Sequence, residues 1–440
     1  MDKHIFAEGL AGAPISRRGL IRVAGAAGFA AAVGARGAFA AGADAKLKVG
    51  FISPRTGALA GFGETDGYVL ELVRKALAPG LKVGDKTYAV ELLDRDTQSD
   101  PQRAGQLAKT LINSDQIDMM LVVSTPETIN PVADACEAAG VPCLSTVMPW
   151  EAWYFGRGAK PGQPSPFKWT YHFGFGGGEF YKTYVSQWNL IPTNKKVGVL
   201  YPNDADGNAI RENLAPALAK AGFTIIDPGP YEDGTTDFSA QIAKFKAEKC
   251  EIFNTFPIPP DFAAFWRQSA QQGYTKMVKI AQIAKTGLFP SQVDALGSLG
   301  VNLASAAYWH KAFPYKSPLT GVSGDELANG YEKQSGKQWT QQLGASMALF
   351  DAGFEALKQS SNPADKASVA KALSTLKAMT MIGKVDFTSG PVPNVSPGPI
   401  VGTQWVKAPA GSKFKLDYVV TDNATDPNVP ISAKLVPFNG

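Results

Sequence analysis

Reactive side chains are scarce in this chain. Three cysteines and three histidines are spread through 440 residues. His4, His172 and His310 stand far apart, and no C-x-x-C pair occurs. Nothing therefore has the spacing of a zinc site or a dithiol redox centre, and no metal or cofactor is expected. A G-x-S-x-G nucleophile elbow is also missing, which argues against an α/β-hydrolase. Gly57, Gly61, Gly63 and Gly67 do not have the G-x-G-x-x-G spacing of a dinucleotide loop. Gly174 to Gly178 lacks the Lys-Ser/Thr that completes a phosphate-binding loop. Charge of one sign is scarce too. The formal net charge is +4, and the first 40 residues carry Lys3, Arg17, Arg18, Arg22 and Arg36 against Asp2 and Glu8. The remainder is nearly neutral and has no electrostatic footprint for nucleic acid or an anionic membrane.

The N-terminal segment carries the strongest local signal. Ser16-Arg17-Arg18-Gly19-Leu20-Ile21-Arg22 precedes a weakly apolar run and then Ala38-Phe39-Ala40. This reads as a twin-arginine export signal over residues 1–40, with cleavage before Ala41 and the twin-arginine export machinery as a partner. A membrane anchor fits less well. The run from Val23 to Phe39 is mostly Ala and Gly, carries Arg36 and falls short of ~20 strongly apolar residues. About 400 residues would remain, too many for one core, which implies two domains.

Hydrophobic periodicity organises the rest. Val49–Ile52, Ala89–Leu93, Met119–Val123 and Cys143–Ser145 read as buried strands, separated by amphipathic segments. Asp100-Pro101 opens one helix as N-cap and first residue; Asn130-Pro131 is expected to open another, which Gly140 stops. The rhythm returns with strands at Val197–Leu200, Thr224–Ile226, Ile252–Phe256 and Val278–Ile280. The fold class is therefore α/β, with two doubly wound parallel-sheet lobes and a cleft at the carboxyl ends of their strands. The first lobe is expected to hold residues 46–170 and about 308–385; the second, residues 171–307 and about 386–440.

Between the two runs, residues 148 to 178 interleave Trp, Tyr and Phe with Gly and Pro. A satellite core and rings lining the cleft both fit this stretch. For Cys136 and Cys143, a bridge and two buried thiols are equally compatible with the spacing. Asp94 and Asp96 flank Arg95 as a charge-balanced loop, and Asp204 and Asp206 precede Gly207 as turn or capping residues.

Several segments in order resemble the periplasmic solute-binding proteins of branched-chain amino-acid ABC transporters, the leucine/isoleucine/valine-binding-protein-like group. They are LKVGFISPRTGALAGFGE (47–64), LLDRDTQSDPQRAGQLAKTLI (92–112), VVSTPETINPVADACEAAGVPCLST (122–146), VGVLYPNDADGNA (197–209) and TTDFSAQIAKFK (235–246). The resemblance implies a Venus-flytrap clamp of the type I periplasmic binding fold. Its lobes close by hinge motion on a small-molecule ligand, and the closed form docks on an ABC permease in the inner membrane. It implies a monomer, a periplasmic location and no enzymatic reaction. A ligand sensor coupled to a receptor and an exported two-lobed enzyme are the alternatives.

Carried over residue by residue, the resemblance places Phe62 over the ligand. It puts Ser124, Thr125 and Thr128 at a helix N-terminus that holds a carboxylate. Thr146, Val147 and Met148 follow the fourth strand, with Trp150 just beyond. Asp206 and Ile258 come from the second lobe. Gln282-Ile283-Ala284-Lys285 departs from the amino-acid-binding pattern, because no acid stands there to pair with a ligand ammonium. An α-amino acid then requires Asp204 or Asp206 to supply that charge. Lys285 itself reads either as a solvated lysine or as a cation favouring an anionic or carbonyl-rich ligand. The expected ligand is amino acid-like, or a small carboxylate or amide with an apolar or aromatic body.

Overall fold

Short β-rich runs separated by helices force parallel pairing, because each strand must be regained by a crossover. The computed structural model describes residues 43–257 and 259–438, and it realises that pattern twice. The expected leader, residues 1–40, and Ile258 lie outside the described residues.

The strands are β1 (Ala45–Ser53), β2 (Leu81–Val83), β3 (Lys86–Asp96), β4 (Met119–Val123), β5 (Cys143–Thr146), β6 (Thr170–Gly174), β7 (Lys196–Leu200), β8 (Thr224–Ile226), β9 (Ile252–Thr255), β10 (Ile280–Ile283), β11 (Ala304–Ala307), β12 (Lys377–Thr380), β13 (Gly383–Asp386), β14 (Val395–Pro397), β15 (Val401–Lys407) and β16 (Leu416–Asp422). One seven-stranded sheet runs β14-β6-β5-β4-β1-β3-β2, and the other runs β16-β15-β11-β10-β9-β7-β8. Their centres are parallel. β2 on the first sheet and β15 and β16 on the second are antiparallel additions at the edges. β12 and β13 form a separate hairpin.

Sheet membership moves the expected lobe boundaries. β6 and β14 both belong to the first sheet, so the chain crosses after Gly174 and after Pro397 rather than at residues 170 and 385. The remaining crossing follows β11. The chain then returns to the first sheet, against which the helix Gln342–Gln359 packs. β10 begins at Ile280, where the sequence expectation ended, because Val278 is still in the turn before it.

Local signals explain some helix ends. The Asp100 side chain accepts from the Arg103 backbone N–H at 2.7 Å, with Pro101 at the first helical position. The next helix starts five residues before the expected Pro131. It spans Pro126–Ala139, with Pro126 first, Pro131 inside, and Gly140 ending it at φ 67°. That shift places the helix N-terminus directly after Ser124 and Thr125.

The first crossing is tightly built. A Cβ on Gly176 would fall 2.1 Å from Trp150 Nε1, so only glycine lets the chain pass that ring. Glu151 Oε1 accepts from the Gly177 N–H at 2.7 Å, at the start of the helix Gly177–Trp188. Burial pushes the Glu151 pKa up to about 7; its backbone hydrogen bonds oppose this and Glu179 adds to it. A carboxyl with a folded pKa above its ordinary 4.5 holds its proton more tightly folded than unfolded. Its contribution is complete below that ordinary value and is lost as pH rises through about 7, a change of up to about 3 kcal/mol. Between pH 5 and 7.5, wild-type Tm should therefore fall more steeply than that of Glu151→Gln. Parallel profiles would remove the argument.

Candidate functional site

Parallel strands leave their carboxyl ends, and the helix N-termini that follow them, pointing the same way. The loops after β4, β5, β7, β9 and β10 meet there, between the two sheets. They enclose a cavity with about 50 Å³ open to the centres of water molecules, room for a few waters. An outer chamber of about 340 Å³ by the same measure shares Phe62, Thr125 and Lys285 with it. Phe62 from the first lobe packs edge-on against Phe289 of the second, with ring centroids 5.1 Å apart, so the lobes meet over the cavity.

One wall is aromatic. Phe175 stacks on Tyr308 at 5.4 Å, and Phe180 meets Phe256 edge-on at 5.2 Å. The lining also has polar members. Thr125 and Asp206 reach the cavity, buried, and Thr125 Oγ1 and Asp206 Oδ1 have no hydrogen-bond partner. Ser124 and Thr128 are buried beside Thr125, and their hydroxyls are unpartnered as well. Val147 lines the cavity with φ at 84°, a strained conformation for a β-branched residue. His172 supports that turn. Its Nε2–H donates to the Met148 carbonyl at 3.0 Å, and Nδ1 lies 2.9 Å from Ser145 Oγ. Burial holds the His172 pKa down at about 3, so the ring is neutral and keeps this tautomer.

Lys285 is neither solvated nor free for an anion. Its Nζ lies 3.0 Å from Asp204 Oδ2 and 3.0 Å from Asp206 Oδ2, with the three side chains only 11, 13 and 6% exposed. Burial works against the ammonium, but Asp206, Asp204 and Glu127 outweigh it and raise the Lys285 pKa. Burial pushes the Asp206 carboxyl upward, with Lys285 opposing and Glu127 and Asp204 reinforcing. Asp204 also caps the helix Ala205–Lys220, accepting from the Gly207 N–H at 2.6 Å. Asp204 thus acts as the capping residue, one of its two readings from sequence, and the charge of Lys285 is already used by two acids.

Of the residues singled out from sequence, Phe62, Thr125, Val147, Met148, Asp206 and Lys285 line the inner cavity. Ser124, Thr128 and Thr146 sit buried just behind it. Trp150 is absent from its lining and packs against Phe155 and Gly176 at the first crossing. Asp94, Arg95 and Asp96 lie on β3 rather than in a loop, and Asp94 is charge-balanced by Arg55 and Arg74. Cys136 and Cys143 are adjacent buried thiols, not a disulfide. Sequence reasoning missed Phe180, Tyr308, Leu288 and Ile400. Phe175 lay in the aromatic stretch, where ring-lining of the cleft was one reading, and Phe256 closed an expected strand.

A family model for periplasmic binding proteins matches residues 46–394. The chain belongs to this family. The Leu/Ile/Val-binding protein homolog 3 of Brucella melitensis is 25% identical over 366 residues, covering 82% of this chain and 91% of its own. A solute-binding protein of an ABC transporter from Rhodopseudomonas palustris, solved with 3,4-dihydroxybenzoic acid, superposes with a TM-score of 0.67 at 20% identity, over 87% of this chain and 99% of that one. The substrate-binding protein of a branched-chain amino acid transporter from Streptococcus pneumoniae, solved with isoleucine, gives 0.64 at 16%, over 89% and 99%. This periplasmic binding protein thus shares the two-lobed fold of both, and its cavity lies where the two sheets present their strand ends.

Proposed function

We propose that this chain is the extracytoplasmic solute-binding component of an ABC importer. It holds a small molecule with an apolar or aromatic body between its lobes and delivers it unaltered to a permease. The carrying observation is the cavity itself: both lobes line it, with aromatic rings together with unpartnered buried Thr125 and Asp206. Polar atoms left so are costly unless a guest or water satisfies them. The ligands named for the Rhodopseudomonas and Streptococcus proteins, an aromatic acid and an amino acid, support a small organic guest, which needs the adjoining chamber or a parting of the lobes beyond the inner cavity's room for a few waters. We further propose export through the twin-arginine signal at Arg17-Arg18.

The test is a thermal-shift screen of the mature protein against a metabolite panel. A guest present at 100 times its Kd should stabilise the protein by about 2.7 kcal/mol and come back chemically unchanged. Turnover of that guest would refute delivery without chemistry. Recovery from the cell envelope with Ala41 as first residue would support the export reading, and an intact leader on cytoplasmic protein would refute it.

A further inference from the structure

We propose that a buried junction of glutamine and tyrosine links the lobes a fourth time, without a covalent connection, and that Tyr418 is its positioning residue. Through Gln341, Tyr418 fixes both the turning of the lobes and the Tyr308 ring in the cavity wall. Its bearing on binding rests on reading the cavity as the ligand site.

Three stretches of chain cross between the lobes, after Gly174, after Pro397 and after β11. The junction lies beside the third. On one side stands the head of the helix Gln342–Gln359, which packs on the first sheet. On the other is the antiparallel pair β15 and β16 at the edge of the second sheet. The Tyr308 backbone N–H can only donate, and Gln341 Oε1 accepts from it at 3.0 Å. That fixes the Gln341 amide, so its Nε2 faces Tyr418 and donates to the phenol oxygen at 3.0 Å. The Thr403 hydroxyl donates to the same oxygen at 2.7 Å. The Tyr418 carbonyl accepts from His310 Nε2 at 2.7 Å, and Gln338 Nε2 donates to the Leu416 carbonyl at 2.9 Å. Gln342 Nε2, from the same helix head, donates to the Tyr308 phenol oxygen.

Tyr308, Gln341, Gln342 and Tyr418 are at most 5% exposed. Hydrogen bonds buried this way have no water to replace them, so parting here costs more than parting at the cavity mouth. There the lobes meet through the apolar Phe62 and Phe289 rings. The lobes therefore turn about the junction, and the Tyr308 ring, stacked on Phe175, stays tied to the helix of the first lobe. Tyr418→Phe separates hydrogen bonding from packing. The ring keeps its stack on Trp405, with centroids 4.3 Å apart, while Gln341 and Thr403 lose their common acceptor.

Spin labels on Ala58→Cys and Gln292→Cys, exposed positions on opposite lobes around the outer chamber, read the distance between lobes in the mature protein with no ligand added. The native cysteines are buried and stay unlabelled. Tyr418→Phe should broaden that distance distribution by at least about 3 Å, and hydrogen exchange at the Tyr308 amide should quicken at least about tenfold. Gln341→Leu should do the same, and it carries the test if Tyr418→Phe does not fold. Tyr184→Phe removes another buried phenol, one with no hydrogen-bond partner among the described residues, and should change neither reading. Wild-type distances or wild-type exchange at Tyr308 would overturn the proposal. So would faster exchange spread evenly over the second lobe, or an equal response to Tyr184→Phe. Because no guest enters the experiment, such a failure leaves the binding role standing, whereas a silent metabolite panel removes that role and leaves the junction.

Discussion

Lys285→Met should lower stability at pH 7.5 by about 3–5 kcal/mol, a fall in Tm on the order of 10 °C. The lysine is the counter-ion of two carboxylates, Asp204 about as buried as itself and Asp206 more so. Removing it leaves Asp204 and Asp206 facing each other, with Glu127 nearby, in a site with little water. The acids can escape only by taking up a proton. That raises the folded pKa of Asp206 further above its unfolded value, so the deficit is largest at high pH and shrinks as pH falls towards about 4. Asp204→Asn and Asp206→Asn combined with Lys285→Met should recover most of the loss, because asparagine can still cap the helix. A Lys285→Met protein that melts like wild type at pH 7.5 would show that the acids need no counter-ion.

Gly344→Ala should cost at least about 3 kcal/mol, although it adds one methyl group at a helical position that alanine normally favours. The added Cβ would lie 2.0 Å from Cγ of Trp309, a side chain with no exposure, inside the buried helix Gln342–Gln359. Retreat of the helix is costly, because its Gly353 also packs closely, a Cβ there falling 2.8 Å from Leu121 of β4. Gly67→Ala is the control. Gly67 is exposed on the helix Asp66–Leu77, with nothing within 4 Å of its virtual Cβ, and the substitution should stabilise by about 0.5–1 kcal/mol. Urea titration of both variants reads the contrast, and shifts of the same sign would defeat it.

The parallel strands and their order along the chain were legible because burial on both faces writes a continuous apolar run. Asp100-Pro101 was legible because capping is a local device. The start of the helix at Pro126 was misread because Asn130-Pro131 is the stronger local signal, and packing against neighbouring elements overrides it. Part of the cavity was legible for the same local reason: Thr125, Val147, Met148 and Lys285 follow strand ends. The rest was not. Tyr308 and Ile400 arrive on later crossings, and no sequence period links them to Phe175. The role of Lys285 was hidden likewise, since its partner Asp204 is 81 positions away.

Cys136, Cys143 and Cys250 are all fully buried thiols. Burial pushes the thiol of Cys136 well up and that of Cys250 up to about 12. Alkylating reagents attack exposed thiolates, so the folded protein should leave a maleimide dye almost untouched. One cysteine introduced on the rim of the cleft would then take the fluorophore alone. The unmodified background is already suited to an optical sensor that reports the concentration of its own guest.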